Sequence, residues 1–122
     1  MSPTSQPFDL SVTVKLDASG NGTAQLGPTG AYMWKLGTIV VSTLSQSTLT
    51  IPQASYYAGS MVSPATLLDT TVNGNSDSSN RGVGQTLYQG QHVFAVWTGG
   101  ITLDTATLRV TGQQVTGYRS AN

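Results

Sequence analysis

Leu10, Val12, Val14 and Leu16 occupy alternate positions, with Ser11, Thr13, Lys15 and Asp17 between them. A period of two sends successive side chains to opposite faces, so this segment is a half-buried β-strand and not a helix. The same alternation returns late in the chain, where Ala106, Leu108 and Val110 interleave with Thr107, Arg109 and Thr111. Turn signals punctuate the sequence between the two: Asp17 to Gly22, Gly27-Pro28, Thr29-Gly30, Gln89-Gly90 and Gly99-Gly100. Short strands at this spacing predict an all-β fold, an antiparallel β-sandwich, in its specific form an eight-stranded jelly roll.

The strands expected in between follow from the same cues. Asn21-Gly22 signals a hairpin after the first strand (residues 8–17), and a short strand spans 23–26. Residues 32–44 carry apolar side chains on both parities, Trp34, Leu36 and Val40 on one, Met33, Ile39 and Val41 on the other. That reads as a central strand, with Gly37 marking a bulge. A helix is disfavoured there by Gly37, Thr38 and the β-branched run from Ile39 to Val41. A strand over 48–58 must accommodate Pro52, and Ser63-Pro64 opens a short helical turn. Residues 68–72 are strand, 73–84 a polar loop and the most mobile segment, and 86–88, 92–97 and 106–111 are strands. The expected core is Val12, Val14, Trp34, Val40, Val96, Trp97, Leu108 and Val110.

One domain fits 122 residues. Residues 1–7, polar around two prolines, read as an extended arm; 8–118 form the sandwich and 119–122 a tail. No basic region leads into an apolar stretch at the N-terminus, which is unlike a signal peptide, and no apolar run approaches the roughly 18 residues of a membrane span.

Charged residues make up 8% of the chain, against roughly 25% in an ordinary domain, and five Lys and Arg balance five Asp. The cations Lys15, Lys35, Arg81, Arg109 and Arg119 are scattered singly, so no basic face exists for nucleic acid or an anionic membrane. A surface of near-zero net charge favours association, which suits a protein that works inside an assembly.

Three segments carry a resemblance. They are Leu26-Gly27-Pro28 leading into Trp34 and Ile39-Val40-Val41; Tyr57-Ala58-Gly59 leading through Leu68-Asp69; and Leu87, Gln89-Gly90-Gln91, Val96-Trp97-Thr98-Gly99-Gly100 and Leu108-Arg109-Val110-Thr111-Gly112. In order and spacing the chain resembles small jelly-roll virion proteins encoded by tailed phages of actinobacteria. The resemblance implies a structural part of a virion, on the surface of head or tail, made in the host cytoplasm and assembling as a homotrimer. Other virion proteins, such as the major capsid protein, would be its partners. It transfers no functional residues.

The chemistry-bearing residues are few: one histidine, no cysteine and no glutamate. His92 lacks a nucleophile elbow such as G-x-S-x-G and reads as a strand residue with local hydrogen bonds. Asp9, Asp17, Asp69, Asp77 and Asp104 fall mostly at turns and strand ends, where aspartate bonds its own backbone. Asn73, Asn75 and Asp77 space oxygen ligands as a calcium loop begins, but Gly84 stands where the closing glutamate belongs. Neither Gly20-Asn21-Gly22 nor Gly82-Val83-Gly84 completes a phosphate-binding motif. No catalytic, metal or cofactor site is therefore expected, and the chain reads as a non-enzyme.

Partner contacts remain. The arm residues Ser2, Pro3, Thr4, Ser5, Gln6 and Pro7 are candidates for docking onto a shell or a neighbouring subunit. Adjacent Tyr56 and Tyr57 must face opposite ways, leaving one exposed as an anchor for a subunit or a host surface glycan; Tyr57 is the candidate. Two functions are thus expected in order: a capsid decoration or head-fibre subunit, then a minor tail protein or adhesin module binding carbohydrate.

Overall fold

The computed structural model describes residues 4–30, 32–71 and 73–116. They form nine antiparallel strands: β1 (Thr4–Lys15), β2 (Gly22–Leu26), β3 (Met33–Thr43), β4 (Gln53–Gly59), β5 (Leu67–Thr71), β6 (Ser76–Ser79), β7 (Thr86–Leu87), β8 (His92–Thr98) and β9 (Thr105–Thr116). A 3-10 turn, Pro64–Thr66, sits where Ser63-Pro64 predicts it. One sheet has the order β1-β9-β3-β6, with β7 also on β3, and the other has the order β2-β8-β4-β5. The chain is an all-β antiparallel sandwich.

Its pairings nest. β1 pairs with β9, β2 with β8, β3 with β6 and β7, and β4 with β5. Two further ladders, β3 with β9 and β4 with β8, wrap this ribbon into two layers. β6 and β7 are two pieces of one position, both lying along β3. Between them Gly84 N donates to Leu36 O at 2.8 Å, and Leu36 N donates to Gln85 O at 2.9 Å.

The core lies between the layers. Trp34, Leu36, Ile39, Val41, Leu87, Ala106, Leu108 and Val110 enter from one sheet, and Ala24, Ala54, Tyr56, Ala58, Val93, Ala95 and Trp97 from the other. Phe8 stacks on Trp34 with ring centroids 4.3 Å apart. The Trp97 indole N–H donates to Gly74 O at 3.1 Å, which lets the ring be wholly buried.

Of the expected core, Trp34, Trp97, Leu108 and Val110 are buried, and Val12 and Val14 are half-buried against it. Val40 and Val96 face outward and are only half-buried. For Val40 the reason is the bulge near Gly37, where the β3–β9 register shifts between Leu36 and Ile39. One extra residue flips the parity of everything after it, so Ile39, Val41 and Thr43 point inward and Val40 does not. In β8 the inward positions are Val93, Ala95 and Trp97, which leaves Val96 on the outer face.

Other differences also have local causes. Asn21-Gly22 makes no hairpin: β1 and β2 belong to different sheets, so the segment is a corner between layers. Residues 73–84 contain β6, hydrogen-bonded along β3, instead of forming a mobile loop throughout. The strand expected over 48–58 begins after Pro52, at Gln53. Thr4–Pro7 are not an arm apart from the sandwich, since they pair with Gln113–Thr116 as the first rungs of β1. Met1, Ser2 and Pro3, and the tail over 117–122, lie outside the described residues.

The corner segments are lashed together at one end. Gly100 N donates to Gly20 O at 2.9 Å, Gly99 N to Asn21 Oδ1 at 3.0 Å, and Thr102 Oγ1 to Ala18 O at 2.9 Å. Nearby, buried Thr43 donates through Oγ1 to Asn75 Oδ1 at 2.6 Å, and Asn75 Nδ2 donates to Ser47 O at 2.8 Å. Asp104 Oδ1 accepts from Ser45 Oγ at 2.8 Å and from Thr105 N at 2.9 Å.

Candidate interaction surface

The outer faces of the two sheets differ in chemistry. On the five-stranded sheet, cross-strand rows are polar: Thr13 lies opposite Thr107, which lies opposite Ser42, and Ser42 opposite Ser76. The Thr13 and Thr107 hydroxyls are 3.1 Å apart and hydrogen-bonded. One row away Arg109 grips Asp9 through both Nε and Nη2. The guanidinium holds the Asp9 carboxyl below its ordinary pKa, chiefly through these hydrogen bonds. Both partners are well exposed, so the pair orients side chains more than it stabilises the fold.

The four-stranded sheet carries an apolar row instead. Gln25 lies opposite Phe94, Phe94 opposite Tyr57, and Tyr57 opposite Leu67, so one line crosses β2, β8, β4 and β5. Alternation puts these residues outside because their neighbours Ala24, Ala95, Tyr56 and Ala58 fill the core. Phe94 is nonetheless covered, with the His92 ring 5.7 Å away, while Tyr57 is half-buried and Leu67 exposed. Where β4 turns toward β5, Met61 and Val62 are exposed as well.

Of the candidate partner residues, the structure brings Tyr57 into this row. Thr4, Ser5, Gln6 and Pro7 are taken up in β1, with Ser5 Oγ donating to Gln113 Oε1 at 3.0 Å. Tyr56, its phenol buried, is the inward member of the tyrosine pair. Phe94, Leu67, Met61 and Val62 were not singled out in the sequence. Phe94 is recoverable from its parity with His92, but the approach of Leu67 depends on the β4–β5 register shift.

The aspartates are engaged structurally. Asp17 Oδ1 accepts from Ser19 N and Asn21 N, the local backbone bond expected of a turn aspartate, whereas Asp69 and Asp77 lie inside β5 and β6 and not at turns, with Asp69 Oδ1 accepting from Thr70 N and Asp77 Oδ1 from Ser78 N. Asn75, one of the spaced oxygen ligands, is spent on the Thr43–Ser47 clasp, and Asn73 Oδ1 accepts from Asn75 N. No three His, Cys, Asp or Glu side chains converge among the described residues. His92 lies on the outer face of the four-stranded sheet, away from the aspartates that face between the layers.

Compared with protein-family models the chain matches none, and no curated protein matches it significantly.

Proposed function

We propose that the protein is a non-enzymatic structural subunit of a phage virion, a capsid-surface decoration or head-fibre protein that assembles as a trimer. The strand order carries this reading. Nested pairing of β1 with β9, β2 with β8, β3 with β6 and β7, and β4 with β5 matches a ribbon wrapped into a jelly roll, an architecture used by viral capsid proteins. The reading rests on fold, composition and resemblance and not on a reaction site.

The surface chemistry supports assembly. Backbone ladders and corner bonds make a rigid frame, and the Phe94–Tyr57–Leu67 row lays an apolar strip across the outer face of the four-stranded sheet. Interfaces of this kind are anchored by a few aromatic and aliphatic side chains ringed by polar groups. The carbohydrate-binding alternative calls for several exposed coplanar rings. Trp34, Trp97 and Tyr56 are buried and Phe94 is covered, which leaves Tyr57 alone in the row.

Mass-resolved analysis of purified particles of the encoding phage tests the reading. The protein is expected in the particles at a fixed ratio to the major capsid protein, and the isolated subunit is expected to sediment as a trimer that Tyr57→Glu weakens. Absence from the particles overturns the virion role, and a monomeric subunit overturns the trimer.

A further inference from the structure

The two ends of the sandwich each display apolar side chains, and they carry opposite charge. At the first end lie the corner that joins β3 to β4, residues 44–52, and the turn before β9, residues 99–104. Leu44, Leu49, Ile51 and Leu103 are exposed there, Leu49 to 95%. Hydrogen bonds hold the two loops side by side. Leu44 N donates to Thr105 O at 2.8 Å, and Ser45 donates through both N and Oγ to Asp104 Oδ1.

Backbone strain gathers at this end as well. Gln46 (φ +47) and Leu103 (φ +61), one in each loop, are the two non-glycine residues with positive φ among the described residues. A left-handed leucine costs about 1–2 kcal/mol. Leu103 stands outside the core, so burial does not offset that cost. A strained turn, clamped by the buried Asp104 carboxylate, that displays an apolar side chain to solvent marks a contact site.

At the opposite end Met61 and Val62, ahead of the 3-10 turn, and Val83, after β6, are exposed. Their loops meet at the start of β5, where a Cβ on Gly82 would lie 2.9 Å from Leu68 Cδ1. Charge then tells the ends apart. Lys15, Asp17, Asp77 and Asp104 all lie at or next to the first end, which is net negative. Lys35 and Arg81 lie toward the second, whose connecting segments over 27–32, 60–66 and 80–91 contain no Asp or Glu.

We propose that copies of the protein stack head to tail, the Leu44–Leu49–Leu103 end of one seated on the Met61–Val83 end of the next. The charges select this partner. Two first ends would set aspartates against aspartates, and two second ends would set Lys35 and Arg81 against themselves. Unlike ends bring apolar groups together with opposite charge around them. Such a contact uses different surfaces on the two copies, so it does not close and builds a filament. The stack does not depend on the virion reading, and the test positions Leu49 and Val83 lie outside the Phe94–Tyr57–Leu67 row.

Sedimentation of the full chain over about 0.01–1 mM tests the contact. The wild type is expected to grow with concentration in whole multiples of its smallest unit. Leu49→Asp and Val83→Asp alter exposed side chains and keep the fold, and each alone is expected to weaken growth at least about tenfold. An equimolar mixture of the two retains one good junction, the first end of Val83→Asp on the second end of Leu49→Asp. It is therefore expected to pair and to stop at twice the smallest unit. Three results overturn the proposal: a wild-type mass that does not change over this range, growth kept in either variant, or a mixture that fails to pair.

Discussion

A Cβ on Gly20 would lie 2.0 Å from the carbonyl oxygen of Gly100, so the two corners that carry the chain between sheets meet backbone to backbone. Gly20 also has φ +77, in the left-handed region, whereas Gly84 has φ +87 with nothing within 4 Å of the same position. Gly84→Ala is expected to cost only the backbone term, about 1–2 kcal/mol. Gly20→Ala adds displacement of the other corner, for a total of about 3 kcal/mol or more. Urea denaturation of the two variants separates the terms, and equal losses would show that the corners do not bear on each other.

The bulge in β3 sets which branched residues are core. Ile39 is fully buried and Val40 is not, so Ile39→Ala should lose about 2–5 kcal/mol while Val40→Thr changes stability by about 0.5 kcal/mol or less. Thermal or chemical unfolding of this pair reads the parity directly.

Much of the architecture was legible because alternation and turn residues are local signals. The strands near Val12 and Leu108 announce themselves by period, and Gly37 marks the bulge. What the bulge does to Val40 is not local, since it depends on how β9 steps past it. β6 is hidden for a different reason: Ser76-Asp77-Ser78-Ser79 has no apolar residue, and its strand character comes from hydrogen bonding to β3. The Asn21-Gly22 signal misleads because the tight turn serves a corner, with the positive φ at Gly20 instead. At the surface, alternation shows that Tyr56 and Tyr57 diverge. Only the β4–β8 register says which one meets Phe94.

Through one amide Asn75 ties its own turn to the end of β3 and to the corner that follows it. Asn75→Ala removes the acceptor for Thr43 Oγ1 and the donor for Ser47 O, leaving buried polar groups unpaired, so a loss of about 1–3 kcal/mol is expected. Hydrogen exchange should show the added opening concentrated at residues 44–52 and 73–75, with the β2–β8 ladder protected as before.

Tyr56 gives the alkaline side of the stability curve a defined sign. Burial first, then Asp77 and Asp69, raises its pKa above the ordinary 10.0, so the folded state keeps the proton after the unfolded state has lost it. The stabilisation tied to this phenol is complete below pH 10.0 and drains away as the pH climbs toward the raised value. Tyr56→Phe should flatten that decline. Tm measured against pH for the wild type and this variant checks this.

The nested pairing also governs when the fold can close. Among the described residues β1 finds its only ladder on β9, in a register that runs from Thr4 with Thr116 to Lys15 with Thr105. Contacts so distant along the sequence make for slow folding on the millisecond-to-second scale, and a ribosome must deliver β9 before β1 has anything to hold. A nascent chain therefore emerges with its first apolar stripe bare, and its yield in the cell turns on how long that stripe waits.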